Sequence, residues 1–362
     1  MRSLRGKLLP PVVAIVFSAL LCSVALIISG RNPAQALAAM VVQVGHNTTA
    51  VDIVNSASIY YLVGIAVAIG FKMNLFNIGV EGQYRIGAVC AAIVGGELNL
   101  PPVLGQIVII LVAMAGGALF AALPAILKVT RGVSEVITTI MLNAIAGGII
   151  ALLIKQGVFG VLSNNNIGTR PIPSADWIPG IPLGSAGTVF GFVVIAILVG
   201  VGYWVMLNRT RFGFELQASG ESPTAATAGG VDAKRMIVIA MLLSGAIAGL
   251  TALPELLGRD HTYTLISPQG YGFTGIAVAL LGRNNPGGIA FGALLWAFLD
   301  QSAVSLDNIQ VPREIVTIMQ GAIVLSVVVS YEVIRRLELA AEQRRVGSQL
   351  AAAAAATTGS AS

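Results

Sequence analysis

The chain has 362 residues, 56% of them hydrophobic and only 10% charged, with 21 Lys and Arg against 16 Asp and Glu and a formal charge of +5. Ordinary soluble domains carry roughly 25% charged residues, so this chain cannot cover its own surface in water, and soluble, disordered and collagen-like classes are excluded. The apolar stretches are continuous rather than alternating, which argues against a β-barrel and predicts an all-α integral membrane protein, a polytopic helical bundle.

From the N-terminus, Arg2, Arg5 and Lys7 precede an apolar run over 10–29. The run exceeds the ~7–15 residues of a signal-peptide core, so it is expected to stay as an uncleaved first span with the N-terminus in the cytoplasm. The weakly apolar stretch 31–55, with His46, Asn47 and Asp52, suits an interfacial helix. Further spans are expected at 57–74, 78–97, 103–127, 133–155, 186–207, 236–257, 273–283, 286–302 and 313–334, making about ten membrane segments. Alternate threading puts Lys72, Lys128, Arg131, Arg209, Arg211, Lys234, Arg235, Arg283, Arg335 and Arg336 on the cytoplasmic side, and both termini with them. The basic residues mark topology and form no stripe for nucleic acid.

The segments 273–283 and 286–302 fall short of the ~20 residues needed to cross, and are expected to form a short or re-entrant hairpin. An ordered external loop is expected over 156–185, with Asn164-Asn165-Asn166 and Trp177. Residues 1–346 read as a single transmembrane domain, and 347–362 as a disordered low-complexity tail. Cys22 and Cys90 lie in apolar runs with no ligand-spaced neighbours, and His46 and His261 stand alone in polar connections, which points to neither disulfide nor metal.

Polar side chains at membrane depth are expensive and mark candidate sites. Asn74-Leu75-Phe76-Asn77-Ile78-Gly79-Val80-Glu81-Gly82-Gln83 sets amides and a carboxylate between apolar flanks. Amides both donate and accept, which suits an uncharged hydroxyl-rich or base-bearing solute. Asn77, Glu81, Gln83, Asn143 and Gln320 are therefore the candidate substrate path. A surface turn for the first three, and helix-to-helix hydrogen bonds for Asn143 and Gln320, remain open alternatives. Ser244-Gly245-Ala246-Ile247-Ala248-Gly249 reads as tight helix packing.

The cytoplasmic loop 208–235 predicts a short capped helix, with Ser222 as N-cap, Pro223 at the first position and Gly229-Gly230 at the end. Such an exposed Ala-rich helix can insert into a partner's groove and transmit force. No phosphate-binding Gly-rich loop, Ser-His-Asp arrangement or His-Glu-x-x-His helix occurs, so neither a built-in ATPase of that class nor another enzyme is expected.

The run Phe76-Asn77-Ile78-Gly79-Val80-Glu81-Gly82-Gln83 resembles the hallmark of bacterial ABC importer permeases for nucleosides and simple sugars. Gly132-Val133-Ser134-Glu135-Val136-Ile137-Thr138-Thr139-Ile140-Met141-Leu142-Asn143 is similar to that family's next motif, with Ser134 where Asn is common. Thr210-Arg211-Phe212-Gly213, Pro223, Ala225-Ala226 and Gly229-Gly230 resemble its coupling loop. The resemblance covers most of 57–334, and the length is similar to the larger nucleoside-type subunit. It implies ATPase coupling through Thr210, Gly213, Pro223, Ala225, Ala226 and Gly229. It also implies a second permease subunit, a cytoplasmic ATPase with two fused nucleotide-binding domains that uses ATP and Mg, and an external substrate-binding lipoprotein. No cofactor would be bound directly, and the location would be the bacterial cell membrane. Nucleosides are the expected solute, with ribose- or galactose-type sugars as the alternative. A gradient-driven secondary carrier would need ionisable relays deep in its spans, where Asp300 is the main candidate.

Overall fold

The computed structural model describes residues 4–359 except 46, 99, 164, 165, 309 and 310. His46 and the Asn164-Asn165 pair lie outside these residues. Where the sequence suggests one domain, the chain divides into two compact units, Met1–Leu37 with Leu306–Ser362, and Ala38–Ser305.

The first unit pairs α1 (Leu4–Ile28) with the long α14 (Arg313–Gly359). Gly30, at φ +72°, lets the chain leave α1, and Asn32 Oδ1 then accepts the Ala34 N–H at 2.9 Å to start α2 (Pro33–Val44). A helix thus forms within the stretch 31–55. Helix α14 continues through the Ala-rich stretch expected to be disordered, in keeping with the high helix propensity of alanine.

The second unit is built around α3 (Asn47–Lys72), whose most apolar window is 83% buried although its composition would suit lipid. Around it lie α4 (Val80–Glu97), α5 (Leu104–Arg131), α6 (Glu135–Leu153), α7 (Phe192–Arg209), the short α8 (Arg211–Glu221) and α9 (Pro223–Ala228), and α10 (Ala233–Gly249). After α10 come one turn of α11 (Leu253–Glu255), a π-turn over Leu256–Asp260, α12 (Tyr271–Leu281) and α13 (Pro286–Asn308). The outer helices α5, α6 and α7 turn Leu111, Leu119, Ile137, Ile145, Ile197 and Val201 outward, as lipid-facing positions require. Helices α5 and α10 approach at glycines: a Cβ on Gly117 would lie 2.1 Å from the Gly245 carbonyl oxygen, and one on Gly249 2.0 Å from that of Ala113. The tight packing expected from 244–249 is thus present.

Among the described residues six helices are long and apolar enough to cross a membrane, and the sharply bent pair Val13–Ile28 and Pro33–Val44 makes a seventh. The fold is an all-α, multi-pass membrane architecture. The other three expected segments fail that test for identifiable reasons. Helix α4 carries Glu81, Arg85 and Glu97, α12 has only 11 residues, and α13 opens on Pro286-Gly287-Gly288 and carries Asp300-Gln301, which lower its mean hydropathy.

The loop between α6 and α7 is ordered by two small hairpins, β1 (Val161–Ser163) with β2 (Asn166–Gly168), and β3 (Ile181–Pro182) with β4 (Thr188–Val189). It is tied to the segment after the π-turn: the Thr169 N–H donates to the Tyr263 carbonyl at 2.9 Å and the Ile172 N–H to that of His261 at 2.8 Å. His261 is not a free solvated side chain; its ring stacks on Trp177 at 3.6 Å and 7°.

Candidate functional site

Past Lys72 the chain does not pass straight on. Asn74 adopts a left-handed turn at φ 56°, and the Leu75 N–H reaches back to the Gly70 carbonyl at 2.9 Å, so that 75–79 fold against the end of α3. This return would strand backbone groups at depth, and side chains satisfy them. Asn143, on α6, accepts the Gly82 N–H at 2.9 Å through Oδ1 and donates from Nδ2 to the Ile78 carbonyl at 3.0 Å. Asn77 Nδ2 donates to Gln83 Oε1 at 3.0 Å and to Ser244 Oγ at 2.9 Å, while Gln83 Nε2 returns a bond to Asn77 Oδ1 at 3.0 Å. Ser244 Oγ donates in turn to the Ala66 carbonyl at 2.7 Å. Asn77 and Gln83 are each only 1% exposed. These amides bond one another and the backbone; they form a knot that holds the helix break.

Glu81 spans a different gap. Its Oε1 accepts the Gly270 N–H and its Oε2 the Gly272 N–H, both at 2.9 Å. Those N–H groups are orphan donors at the start of α12, whose dipole also favours a carboxylate there. The Tyr84 hydroxyl lies 3.2 Å from Glu81 Oε1 and 3.1 Å from the Pro268 carbonyl, closing the clamp. A Cβ on Gly272 would fall 2.5 Å from the Glu81 backbone nitrogen, so only glycine admits this approach. Glu135 begins α6, as expected for a carboxylate at a helix start, and its Oε2 takes the Lys128 ammonium at 2.5 Å.

Beside the N-terminal half of α3 lies a cavity of about 570 Å³, bordered by α3, the β3–β4 hairpin, the π-turn and α13. Its polar lining comprises Asp52, Asn55, Ser56, Glu255, Arg259 and Gln301. The wide π-turn brings Glu255 and Arg259 to this wall, with Arg259 Nη2 donating to Glu255 Oε1 at 2.9 Å. Asn55 anchors the hairpin, donating to the Thr188 carbonyl at 3.0 Å and accepting the Phe190 N–H at 2.8 Å. Gln301 Nε2 donates to Ser56 Oγ at 3.0 Å.

Glu255 also borders a much smaller void with Tyr84, Tyr263 and Tyr271. There Glu255 Oε2 accepts the Tyr271 hydroxyl at 2.8 Å, and the Tyr60 hydroxyl donates to Asp300 Oδ2. The Tyr271 ring meets Tyr60 edge-on at 6.0 Å and Tyr84 at 5.7 Å. Three tyrosines, each hydrogen-bonded to a carboxylate, thus form one layer next to the cavity. Sequence reasoning missed this layer apart from Glu81 and Asp300, because the tyrosines come from three separate helices. The available signal was the run of polar residues Asp52, Asn55, Ser56 and Ser58 in the first half of α3.

The helix expected at 222–228 forms as α9, with the Ser222 side chain accepting the Ala225 N–H at 3.3 Å and Pro223 in the first turn. Helix α8 was not expected. Thr210 caps it, accepting the Gly213 N–H at 3.1 Å, and a Cβ on Gly213 would sit 2.1 Å from the Met206 carbonyl oxygen, so the α7–α8 corner needs glycine. Pro223, Ala225 and Gly229 are exposed, whereas Ala226 is 6% exposed and packs inward. The structure therefore separates a presented face from a packing residue within the expected coupling set. Gln320 lies on α14 in the first unit, apart in the chain from the four other path candidates, which all belong to the second.

Among the described residues no group of three or more His, Cys, Asp or Glu could hold a metal ion. Cys22 and Cys90 are both free thiols.

The chain is 31% identical over 336 residues to the nucleoside ABC transporter permease protein NupB of Lactococcus lactis subsp. cremoris, covering 90% of this chain and 92% of that one. It is 32% identical over 339 residues to the guanosine ABC transporter permease protein NupP of Bacillus subtilis, covering 91% and 95%. The glucose ABC transporter permease protein TsgB13 of Haloferax volcanii is 30% identical over 332 residues, covering 88% and 87%. No solved structure gives a significant match. Relatives of this kind are permease subunits, a class that works with an ATPase, a substrate-binding subunit and a second permease. The family described as branched-chain amino acid transport system / permease component matches residues 49–328, and the chain belongs to it: this is a multi-pass membrane transport subunit and not an enzyme.

Proposed function

We propose that the chain is one permease subunit of an ATP-driven importer that moves nucleosides into a bacterial cell by alternating access. Ten membrane segments, with α4, α12 and α13 added to the seven apolar spans and both termini cytoplasmic, place Lys128, Arg131, Arg209, Arg211, Lys234 and Arg235 together inside. In this orientation α8 and α9 face the cytoplasm and the cavity opens outward. The partners are a second permease subunit, an ATPase with two fused nucleotide-binding domains that consumes ATP and Mg, and an external substrate-binding lipoprotein. The permease itself binds no cofactor. The supporting observation is the juxtaposition along one rigid helix: α8 packs on the Lys72 end of α3, and the polar cavity lies along the other half of the same helix.

The path candidates Asn77, Gln83 and Asn143 act in this reading as the frame of the broken helix, and Pro223, Ala225 and Gly229 present the coupling face. A simple sugar is the second reading, favoured by the similarity to a glucose permease over most of both chains. Uptake of labelled guanosine, uridine and ribose by cells with this chain deleted and restored tests the proposal, with ATP and the proton gradient depleted separately. Nucleoside uptake that returns with the chain and follows ATP is expected. Uptake of ribose alone would move the chain to sugars, and dependence on the gradient alone would refute ATP coupling.

A further inference from the structure

We propose that the cavity between α3, the β3–β4 hairpin, the π-turn and α13 is the solute site of the permease, and that it selects neutral, diol-bearing solutes over phosphorylated ones. The inference rests on the importer reading for the sidedness of the cavity. Its volume of about 570 Å³ falls within the ~300–1,000 Å³ typical of small-molecule sites.

The selectivity follows from the lining. Asp52 and Glu255 oppose a single cation, Arg259, which is already held by Glu255 and by Asp260 through Nε at 2.8 Å. With Arg259 already paired to Glu255, the carboxylate of Asp52 leaves the wall net negative, so a phosphate entering it meets like charge. A carboxylate is, by contrast, a good acceptor for a ribose hydroxyl. Exposed Asp52 on α3 and the carboxamide of Gln301 on α13 offer such acceptors along the cavity wall. The ring of Phe190, seated over Gly258, supplies an aromatic surface in the same wall. Glu255 connects the site to the tyrosine layer through Tyr271, so that a solute that hydrogen-bonds Glu255 acts on the layer directly.

The test uses the transporter in membranes without its solute-binding lipoprotein, with Cys22→Ala and Cys90→Ala as background. Thr48→Cys at the rim and, separately, Ala186→Cys on the hairpin report through a membrane-impermeant maleimide. Ile266→Cys, on an exposed loop away from the cavity, is the control. Saturating nucleoside is expected to slow labelling of either reporter by roughly tenfold, to leave Ile266→Cys unchanged, and to lose this effect when a nucleoside monophosphate replaces it. In uptake assays Asp52→Ala is expected to raise KM about tenfold at unchanged maximal rate. Equal protection by the monophosphate would overturn the selectivity. If a solute that the same cells import protected neither reporter, the site itself would be refuted while nucleoside import stood. Protection by an imported sugar would uphold the site and remove the nucleoside assignment.

Discussion

Replacing Glu81 separates a scaffold role from a substrate-contact role. In the structure its carboxylate accepts two backbone N–H groups of the α12 entry at 2.9 Å, with the Tyr84 hydroxyl beside it. Hydrogen bonds to charged groups contribute about 1.5–3 kcal/mol each, and a helix-dipole interaction of this partly buried kind adds up to ~2 kcal/mol. Glu81→Gln keeps one acceptor but turns an NH₂ toward the other N–H, so roughly 3 kcal/mol is lost from the seating of α12. At about 1.4 kcal/mol per decade, that loss corresponds to about a hundredfold faster local opening. Hydrogen exchange of the 270–274 amides in the reconstituted complex measures it directly, alongside uptake. Accelerated exchange and lost uptake should appear together. If Glu81→Gln abolished uptake while those amides stayed fully protected, the clamp reasoning would be wrong, and Glu81 would belong to the solute path.

On α9, Ala225→Asp should leave the fold intact and abolish stimulation of the ATPase, because the position is exposed; Ala226→Asp should instead destabilise the α8–α9 corner by on the order of 3 kcal/mol, read as a lower melting temperature of the purified complex. Gly220→Val would place a Cβ 2.3 Å from the Lys72 carbonyl oxygen, an overpacking of about 1–3 kcal/mol or more that should leave ATP hydrolysis running without transport; unchanged coupling would refute the α8–α3 contact. Burial lowers the His261 pKa, outweighing the opposite pull of Asp260. The folded state therefore favours the neutral ring, and its contribution is present above the ordinary value of about 6.5 and lost as pH falls from there toward the lower folded value. Trp177 fluorescence, with Trp204→Phe and Trp296→Phe, should report that acid transition, and His261→Phe should remove it.

The lipid-facing helices were legible because every outward residue of α5, α6 and α7 must be apolar, which leaves long uninterrupted runs. Helix α8 was not, because its inward positions Gly213, Leu216 and Ser219 include two residues that read as loop. The π-turn was hidden inside an apolar stretch with Pro254 and Gly258, where composition says only that a helix passes. In the site, Asn77, Gln83 and Asn143 stood out because polar groups at depth are costly. Whether they face a solute or one another depends on the left-handed return at Asn74, which a linear pattern does not show. The cavity lining was harder still: Asp52, Glu255, Arg259 and Gln301 each sit near a segment end, where a charge or amide reads as an interfacial residue.

In the proposed importer, the two tiers of polar residues would divide the labour of transport between rigidity and change. The knot at the break is closed: Asn77, Gln83, Asn143 and Ser244 bond one another and the backbone at distances of 2.7–3.0 Å, and Ser244 fastens α10 to the Ala66 turn of α3. Breaking it would expose several amide groups to an apolar surround, a cost that makes it a poor moving part. The outer tier differs, since the Arg259 side chain is 57% exposed and its bond to Glu255 is open to water. Between the tiers α3 runs as one continuous helix, bearing Asp52, Asn55, Ser56 and Tyr60 on one half and the α8 contact at Lys72 on the other. In the proposed importer, a displacement of α8 would be carried along this helix to the cavity wall, while the knot would keep α3, α4, α6 and α10 moving as one body. The element left to yield in that proposal is the part of the tyrosine layer formed by Tyr60 and Tyr271, each held to a carboxylate by one hydrogen bond.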